Sequence, residues 1–413
     1  MTTNIKIIAL SILSLLLIIF FISKTYNYFG KYREEIALNI FNYKNYKSTA
    51  TNQYDVEYYN NNLKKNIPLK LRDYYITASN KSYLATSSSN SVPSIKALKE
   101  VIKKGARFIH LDVYSDSSIF DPKATPIVRD RTLLPKYGKS IKLDDCLEII
   151  ASNGWKKTSA PLLLYLETHF YKVDKVMVKK VVKLLNKHFS KRYVDKSYGY
   201  KDSNIGNIDI SDTKDKIIIF TNDYEYLGDL DEYINGIIPS YKDKNSNNSD
   251  NYTMPENEVN PGSISTTDFD KLSNNSSLIN VYDYFSDMND YGGISSKYSN
   301  TNDIIEKSRK SLSLVRPIIK YDDETLYNPV ADMFNIDPTT SFNSGIQLVC
   351  MNYQYYDENM KKYLNFFKDG SLKIKPEKLR DIPKPEKKEV DDKQLVITKE
   401  TINIPGSKKT FNI

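Results

Sequence analysis

Residues able to move protons or bind cations lie near the carboxyl ends of two apolar segments. His110 and Asp112 fall on one side of the segment Phe108–Val113, and Glu167 follows the apolar run Leu162–Leu166. An imidazole or a carboxylate can act as a general acid or base, and converging carboxylates can bind a divalent cation. The same side chains also form ordinary ion pairs inside folded domains. The sequence therefore leaves catalytic, cation-binding and structural interpretations open for these three residues.

The composition excludes several classes of protein. The chain has 413 residues and a net charge of +8, without the basic stripe interleaved with aromatic residues that indicates nucleic-acid binding. It contains no glycine-rich phosphate loop, nucleophile elbow or Cys/His metal motif. Cys146 and Cys350 lie in apolar segments, so we expect a reducing compartment and no disulfide framework.

Alternating helix and strand patterns must position the candidate residues. Ser94 can cap a helix whose apolar positions from Ile95 to Ile102 share one face, and Gly105 ends it. The patterns that follow predict a strand over Phe108–Val113, a helix over Leu143–Ser152, a strand over Leu162–Leu166, a helix over Lys175–His188 and a strand over Lys216–Phe220. After a polar region they predict a helix over Ile304–Leu314, a strand over Leu314–Tyr321 interrupted at Pro317, and a strand over Gly345–Asn352. This alternation indicates a parallel α/β sheet or barrel.

A hydrophobic segment precedes the α/β region. Residues Ile7–Ser23 are uncharged and bounded by Lys6 and Lys24, and at about 1.5 Å per residue the segment spans roughly 26 Å. That length crosses a bilayer core if the two lysines snorkel. No small-residue cleavage site follows, so we predict a single-pass membrane anchor rather than the alternative, a cleaved signal peptide. The excess of lysine and arginine after the segment predicts that the bulk of the chain is cytosolic.

Six segments in this order and spacing resemble eukaryotic phosphoinositide-specific phospholipase C. Its X half is matched by residues 71–84 (LRDYYITASNKSYL), 105–112 (GARFIHLD), 126–133 (PIVRDRTL) and 164–169 (LYLETH), and its Y half by residues 345–354 (GIQLVCMNYQ) and 372–380. The resemblance implies a distorted TIM-type (β/α) barrel split into X and Y halves, with its chemistry at the carboxyl ends of the strands.

The resemblance and the composition together divide the chain into seven regions. They are an amino-terminal tail (1–6), the anchor (7–23), a juxtamembrane stalk (24–68), the X-like half barrel (69–225), a flexible X/Y linker (226–290), the Y-like half barrel (291–380) and a polar tail with one strand-like segment (381–413).

The resemblance also implies which residues occupy the positions of the family's site. The two catalytic histidines of the family correspond here to Asn80 and Arg131. Of the family's calcium-ligand positions, two carboxylates persist as Asp112 and Glu167, whereas the other two positions hold Lys81 and His110. The positions of the substrate-binding lysines correspond to Phe220 and Asn222, and those of the substrate-binding arginine and tyrosine to Thr325 and Tyr327.

These replacements bear directly on catalysis. Attack of an inositol hydroxyl on the neighbouring phosphodiester needs a base, a proton for the departing diacylglycerol oxygen and stabilisation of the charge around phosphorus. Asn80 cannot carry a proton, and Arg131 holds its proton too tightly to donate it. The loss of both groups removes roughly 5 to 10 kcal/mol of transition-state stabilisation.

We therefore expect a membrane-anchored, phospholipase C-like protein without catalysis, acting as a lipid- or phosphate-binding or structural module. Its expected partners are membrane lipids, including phosphoinositides. Lys81, Arg131 and Tyr327 are the candidate ligand-binding residues. No cofactor or metal is expected, because Lys81 can neutralise Asp112 and Glu167 in place of the family's calcium.

Two alternatives remain open at this point. One is an active phosphatidylinositol phosphodiesterase with a rearranged site, in which His110 is the candidate base. The other is a scaffold protein of a membrane or virion. The two remaining histidines receive simpler interpretations, His169 as a structural residue and His188 as a surface residue.

Overall fold

The strands and helices come from a computed structural model that describes residues 13–21, 68–85, 92–117, 120–130, 140–170, 174–201, 203–222, 227–238, 279–285, 301–318 and 335–382. Within this described part the strands are β1 Tyr74–Ser79, β2 Phe108–Ser115, β3 Pro126–Val128, β4 Ile141–Lys142, β5 Leu162–Thr168, β6 Ile217–Thr221, β7 Gly236–Ile237, β8 Asn280–Phe285, β9 Ser313–Ile318, β10 Leu348–Met351 and β11 Leu372–Ile374. The helices are α1 (13–21), α2 Ile95–Lys103, α3 Leu143–Asn153, α4 Lys175–Phe189, α5 Thr301–Lys310, α6 Pro338–Asn343 and α7 Glu358–Phe366.

The parallel strands follow one another around the sheet in chain order. The sheet runs β7-β6-β5-β2-β1-β10-β9-β8, and the last parallel strand, β10, pairs with the first, β1. The N–H of Ile279 donates to the carbonyl of Ile237 at 2.9 Å and so joins the start of β8 to β7. This succession is that of a TIM-type barrel, so the predicted α/β class with parallel strands is confirmed. The short strands β3 and β4 extend β2, and β11 pairs antiparallel with β1.

Residues along each strand alternate between two apolar cores. Phe108, Tyr165 and Phe220 belong to one cluster, enclosed by the strands. Their chain neighbours Ile109 and Leu164 belong to a second cluster, which the helices α2, α3 and α4 cover. Because side chains alternate with a period of two, His110, Asp112 and Glu167 share the enclosed face with Phe108 and Tyr165. The fold thus directs the candidate side chains into the barrel.

The helix predictions that rest on strong local signals are confirmed. Ser94 caps α2 by accepting a hydrogen bond from the N–H of Ala97 at 3.1 Å, and Gly105 follows the helix with φ +104°. Asp174 caps α4 in the same way, accepting from the N–H groups of Val176 and Met177. A side chain that satisfies these otherwise unpaired donors fixes where a helix begins.

The predicted linker over 226–290 is too long at both ends. Residues Gly228–Tyr233 form a 3-10 helix, Gly236–Ile237 form β7, and Asn280–Phe285 form β8. A two-residue strand is too short to show a periodicity, and both strands are held by pairing with distant partners, β6 and β9. The composition of the segment therefore could not indicate them.

Three boundaries in the Y half also differ from prediction. The helix predicted to run to Leu314 ends at Lys310, and β9 runs through Pro317 without interruption. Strand β10 begins at Leu348 rather than at Gly345, whose φ of +77° places it in the turn after α6.

Nine of the seventeen residues of the predicted membrane anchor, 13–21, lie within the described part of the chain. Within the described part of the chain, no helix is long and apolar enough to cross a bilayer. Residues 13–21 are helical, and their leucine, isoleucine and phenylalanine side chains are exposed. The rest of Ile7–Ser23, the stalk up to residue 67 and the tail from residue 383 lie outside the described residues.

Candidate functional site in the barrel mouth

The candidate residues meet at the carboxyl ends of β1, β2 and β5. Asp112 on β2 lies directly opposite Glu167 on β5 in the parallel register, and His110 lies opposite Tyr165. Asn80 and Lys81 follow the last residue of β1. Asn80, His110 and Asp112 are all at most 6% exposed. The site is therefore a largely buried polar cluster at the edge where barrels of this type carry their chemistry.

Glu167 is held by donors from two different strands. Its Oε2 lies 2.9 Å from Nε2 of His110 and 3.6 Å from Nη1 of Arg316 on β9. Burial alone raises the pKa of a carboxyl group, but the hydrogen bond from His110 and the charge of Arg316 hold the pKa of Glu167 well below its usual value. Glu167 is consequently a buried carboxylate, neutralised by the protein itself. Sequence reasoning missed Arg316, because nothing local marks it as a partner of a residue 149 positions away.

Asp112 is satisfied on both of its oxygens. Oδ1 lies 2.9 Å from Nε2 of His169, and Oδ2 accepts a hydrogen bond from the hydroxyl of Tyr83 at 2.8 Å. Burial raises the pKa of Asp112, whereas the charges of His110 and Lys81 and the hydrogen bond from His169 bring it below its usual value. His169, interpreted from sequence as structural, is thus a direct partner of the site carboxylate.

Lys81 has a different ion-pair partner from the one predicted. Its Nζ donates to Oδ1 of Asp130 at 2.6 Å, and Asp130 is itself 4% exposed. The backbone of Lys81 has φ +40°, a left-handed conformation that costs free energy in a residue other than glycine. The carboxylates Asp112 and Glu167 are instead bound by the imidazoles and by Arg316, although the charge of Lys81 still acts on Asp112.

Asn80, at the position of one family histidine, is part of a fixed hydrogen-bond network. Its amide nitrogen donates to Oδ1 of Asn352 at 3.1 Å, and its Oδ1 lies 3.3 Å from Nδ1 of His110. The N–H of Lys81 also donates to Nδ1 of His110 at 3.3 Å. Nδ1 thus faces one donor and one acceptor, and the tautomer decides which of the two bonds it makes, while Nε2 points to Glu167. Both nitrogens of His110 are thus engaged within the protein.

An aromatic and cationic stack borders the site. The ring of His169 stacks on Tyr114 with centroids 4.4 Å apart, and the guanidinium of Arg129 lies 4.1 Å from the centroid of the Tyr114 ring. The side chain of His169 is 20% exposed, compared with 5% for His110. The imidazole of His169 is therefore the more accessible of the two.

The structure describes three of the six other residues that the sequence singled out. Phe220 is buried in the enclosed core, where its ring lies 6.3 Å from that of Phe108, and Asn222 binds the backbone N–H and carbonyl of Thr168. His188 is not a plain surface residue, because its Nε2 lies 2.6 Å from Oδ1 of Asp144 on the helical layer. Arg131, Thr325 and Tyr327 lie outside the described residues.

The donor set of the cluster does not fit calcium. His110, Asp112 and Glu167 each offer one ligand atom, and these three atoms lie within 4.8 Å of one another. Calcium requires six to eight oxygen ligands, whereas this group offers two carboxylates and a nitrogen. Oε2 of Glu167 and Oδ1 of Asp112 already lie 2.9 Å from Nε2 of His110 and of His169, respectively.

Known proteins share part of this sequence and this architecture. Residues 66–223 match the family of the phosphatidylinositol-specific phospholipase C, X domain. Phosphoinositide phospholipase C 1 of Arabidopsis thaliana is 29% identical over 119 residues, which cover 29% of this chain and 19% of the relative. The crystal structure of S. officinalis PLC21 superimposes with a TM-score of 0.55 at 18% identity, covering 78% of this chain and 39% of that one. The structure of L. pealei PLC21 gives 0.55 at 17% identity, covering 77% and 38%.

The chain therefore spans about a fifth of the plant relative and less than two fifths of each of these structures. At such low identity the structural likeness establishes the fold alone. The family match over residues 66–223 and these relatives together confirm the resemblance of this chain to eukaryotic-type phosphoinositide-specific phospholipase C.

Proposed function

We propose that this protein is a membrane-anchored, phospholipase C-like module that binds a phosphoinositide headgroup and does not cleave it. The observation that carries the proposal is the hydrogen-bonded Asn80, which stands where the resemblance places a catalytic histidine. An amide bonded to Asn352 and His110 neither gives nor takes a proton at neutral pH.

The second group that could move a proton is poorly placed for the reaction. His110 is 4% exposed, and both of its ring nitrogens have partners within the protein. A general base must come within hydrogen-bond reach of the substrate hydroxyl. His110 would have to release Glu167 and leave the core to do so. This arrangement supports a structural role for His110 rather than catalysis.

Cationic side chains at the mouth support the binding of a phosphate-bearing ligand. Lys81 and Arg129 lie at this edge, and Arg131 directly follows Asp130 in the chain. Loss of proton-transfer groups does not remove this charge, and phosphate is recognised by lysine and arginine. The proposed ligand-binding set is Lys81, Arg131 and Tyr327.

An exposed aromatic residue at the same edge supports contact with a lipid surface. Phe120, in the loop after β2, is 59% exposed and has φ +62°. Its N–H donates to Oδ2 of Asp174 at 3.0 Å. The left-handed backbone costs free energy, and strain of this kind is concentrated at functional sites. We assign the tethering itself to the apolar segment Ile7–Ser23.

The test combines a turnover assay with a binding assay on one preparation. The segment from Tyr32 onward is incubated with vesicles of phosphatidylinositol or its phosphorylated forms, with and without calcium. We expect saturable binding, and turnover more than about a hundredfold below that of an active phospholipase C. The double variant Lys81→Ala plus Arg131→Ala should lose the binding. The matched control, Lys196→Ala plus Lys310→Ala, removes two exposed lysines outside the cluster and should keep the binding.

One observation favours a second function, an active phosphodiesterase with a rearranged site. His169 is partly exposed, and Asp112 holds its imidazole at 2.9 Å, as a carboxylate orients a general base. Turnover that His169→Gln removes, while vesicle binding persists, would establish this second function and contradict the first. Absence of both turnover and binding would favour a scaffold of a membrane or virion.

A further inference from the structure

The charges around the two site carboxylates are balanced by the protein. Within the described mouth, the carboxylates are Asp112, Asp130 and Glu167, and the permanent cations are Lys81, Arg129 and Arg316. Three negative charges thus face three positive charges, with the imidazoles of His110 and His169 as further donors. A cluster built to attract a divalent ion would instead keep an excess of negative charge.

Arg316 brings one of these charges to the site from the other half of the barrel. It alternates along β9 with the enclosed Leu314, so its side chain shares the interior face, and it is 8% exposed. Its Nη1 lies 3.6 Å from Oε2 of Glu167, on the same oxygen that His110 binds. An ion bound to this oxygen would have to displace His110 and lie beside the guanidinium, where like charges repel strongly because water is excluded.

We infer that Arg316 and His110 take the place of a divalent ion, so that the mouth holds its anionic ligand without calcium. Glu167 and Asp112 then serve to orient protein donors rather than a metal. This inference rests on the proposed function only for the nature of the ligand, a phosphate-bearing headgroup. Its statement about metal binding stands on the ion pairs alone.

The first measurement titrates cations into the full chain in detergent micelles. Calorimetry with calcium, manganese and zinc should show no saturable binding at this site. Micromolar binding of any of the three that Asp112→Asn abolishes would overturn the inference. Zinc and manganese are included because one imidazole and two carboxylates are also ligands that transition metals accept.

The second measurement removes the two protein donors beside Glu167. The double variant His110→Glu plus Arg316→Met replaces the imidazole with an oxygen ligand and deletes the guanidinium. We therefore expect calcium affinity to rise at least about tenfold. The matched control His110→Glu plus Arg316→Lys keeps a cation beside Glu167 and should show no such gain. A folded double variant that gains nothing would contradict the inference, and the wild-type titration decides it where the variant does not fold.

The third measurement separates this inference from the proposed function. Binding of inositol 1,4,5-trisphosphate is compared in a chelator and in about 1 mM calcium, a concentration that fills even weak calcium sites. We expect affinities within about twofold of each other. A tenfold loss in the chelator would overturn the inference. Absence of binding in both conditions would refute headgroup recognition, while the cation titrations would still decide whether protein charges replace the metal.

Discussion

Lys375 carries a buried amine at the amino-terminal side of the barrel, far along the chain from the site lysine. It is 1% exposed, and its Nζ donates to the carbonyl of Ser308 at 2.8 Å. Burial lowers the pKa of Lys375 to about 7, which the nearby charge of Asp73 only partly offsets. The two lysines therefore differ in kind, since Lys81 has a carboxylate partner at 2.6 Å whereas Lys375 binds a neutral carbonyl.

This difference predicts a pH dependence of stability. The ordinary pKa of lysine is 10.5. Between about pH 7 and 10.5 the unfolded chain binds a proton at Lys375 that the folded chain has released. The free energy of unfolding of the wild type therefore rises with pH in this window, by at most about 1.4 kcal/mol per unit.

We expect Lys375→Met to remove this contribution. Relative to the variant, the wild type should gain roughly 2 kcal/mol between pH 7 and pH 9, measured by urea unfolding at each pH. The exposed Lys361, replaced by Met, is the control and should give a difference that does not change with pH. A constant difference for Lys375→Met across the window would mean that the buried amine keeps its ordinary pKa.

At the scale of elements, the connection between β7 and β8 begins and ends at neighbouring positions. Ile238 and Ile279 are both buried in the enclosed core, and the N–H of Ile279 binds the carbonyl of Ile237. The 40 residues 239–278 therefore close a loop whose ends touch. The entropy cost of such closure grows with the logarithm of loop length, as about (3/2)RT ln n.

Shortening this connection should slightly stabilise the fold. Deleting 244–273 leaves about a quarter of the loop, so we expect the free energy of unfolding to rise by about 1 kcal/mol. Urea unfolding followed by circular dichroism measures the change. A glycine- and serine-rich segment of the original length is the control and should leave stability unchanged. A loss of more than about 2 kcal/mol would show that the deleted residues stabilise the barrel through contacts.

The same scale explains what could be predicted from the sequence. Helix α2 carries its own signals, a capping Ser94 and a terminal Gly105, so its limits follow from local chemistry. Strand β7 carries none, because two residues are fixed only by the partner beside them. The carboxylates of the site were recognisable because each lies near the end of a patterned strand. Arg316, the cationic partner of Glu167, was not, because barrel closure brings β9 to β5 from 149 positions away.

At the scale of the whole molecule, β1 joins the two halves of the barrel. It pairs with β2 on one side and with β10 on the other. The hydroxyl of Tyr75 donates to the carbonyl of Phe342, and the N–H of Ala78 donates to the hydroxyl of Tyr363, each at 2.6 Å. The first strand of the X half therefore needs the Y half to complete both its strand pairing and its side-chain hydrogen bonds.

This arrangement predicts that the X half does not fold alone. A fragment 66–238 leaves β1 with an unpaired edge and uncovers apolar residues that now contact the Y half, and such edges promote aggregation. Adding fragment 274–382 should restore a cooperative unfolding transition, measured by circular dichroism and size-exclusion chromatography. As a control, the full chain cut at a protease site inserted within 239–278 should keep its native spectrum, because strand pairing holds both cut ends. Cooperative unfolding of 66–238 by itself would mean that the matched X domain folds as an independent unit without the Y half.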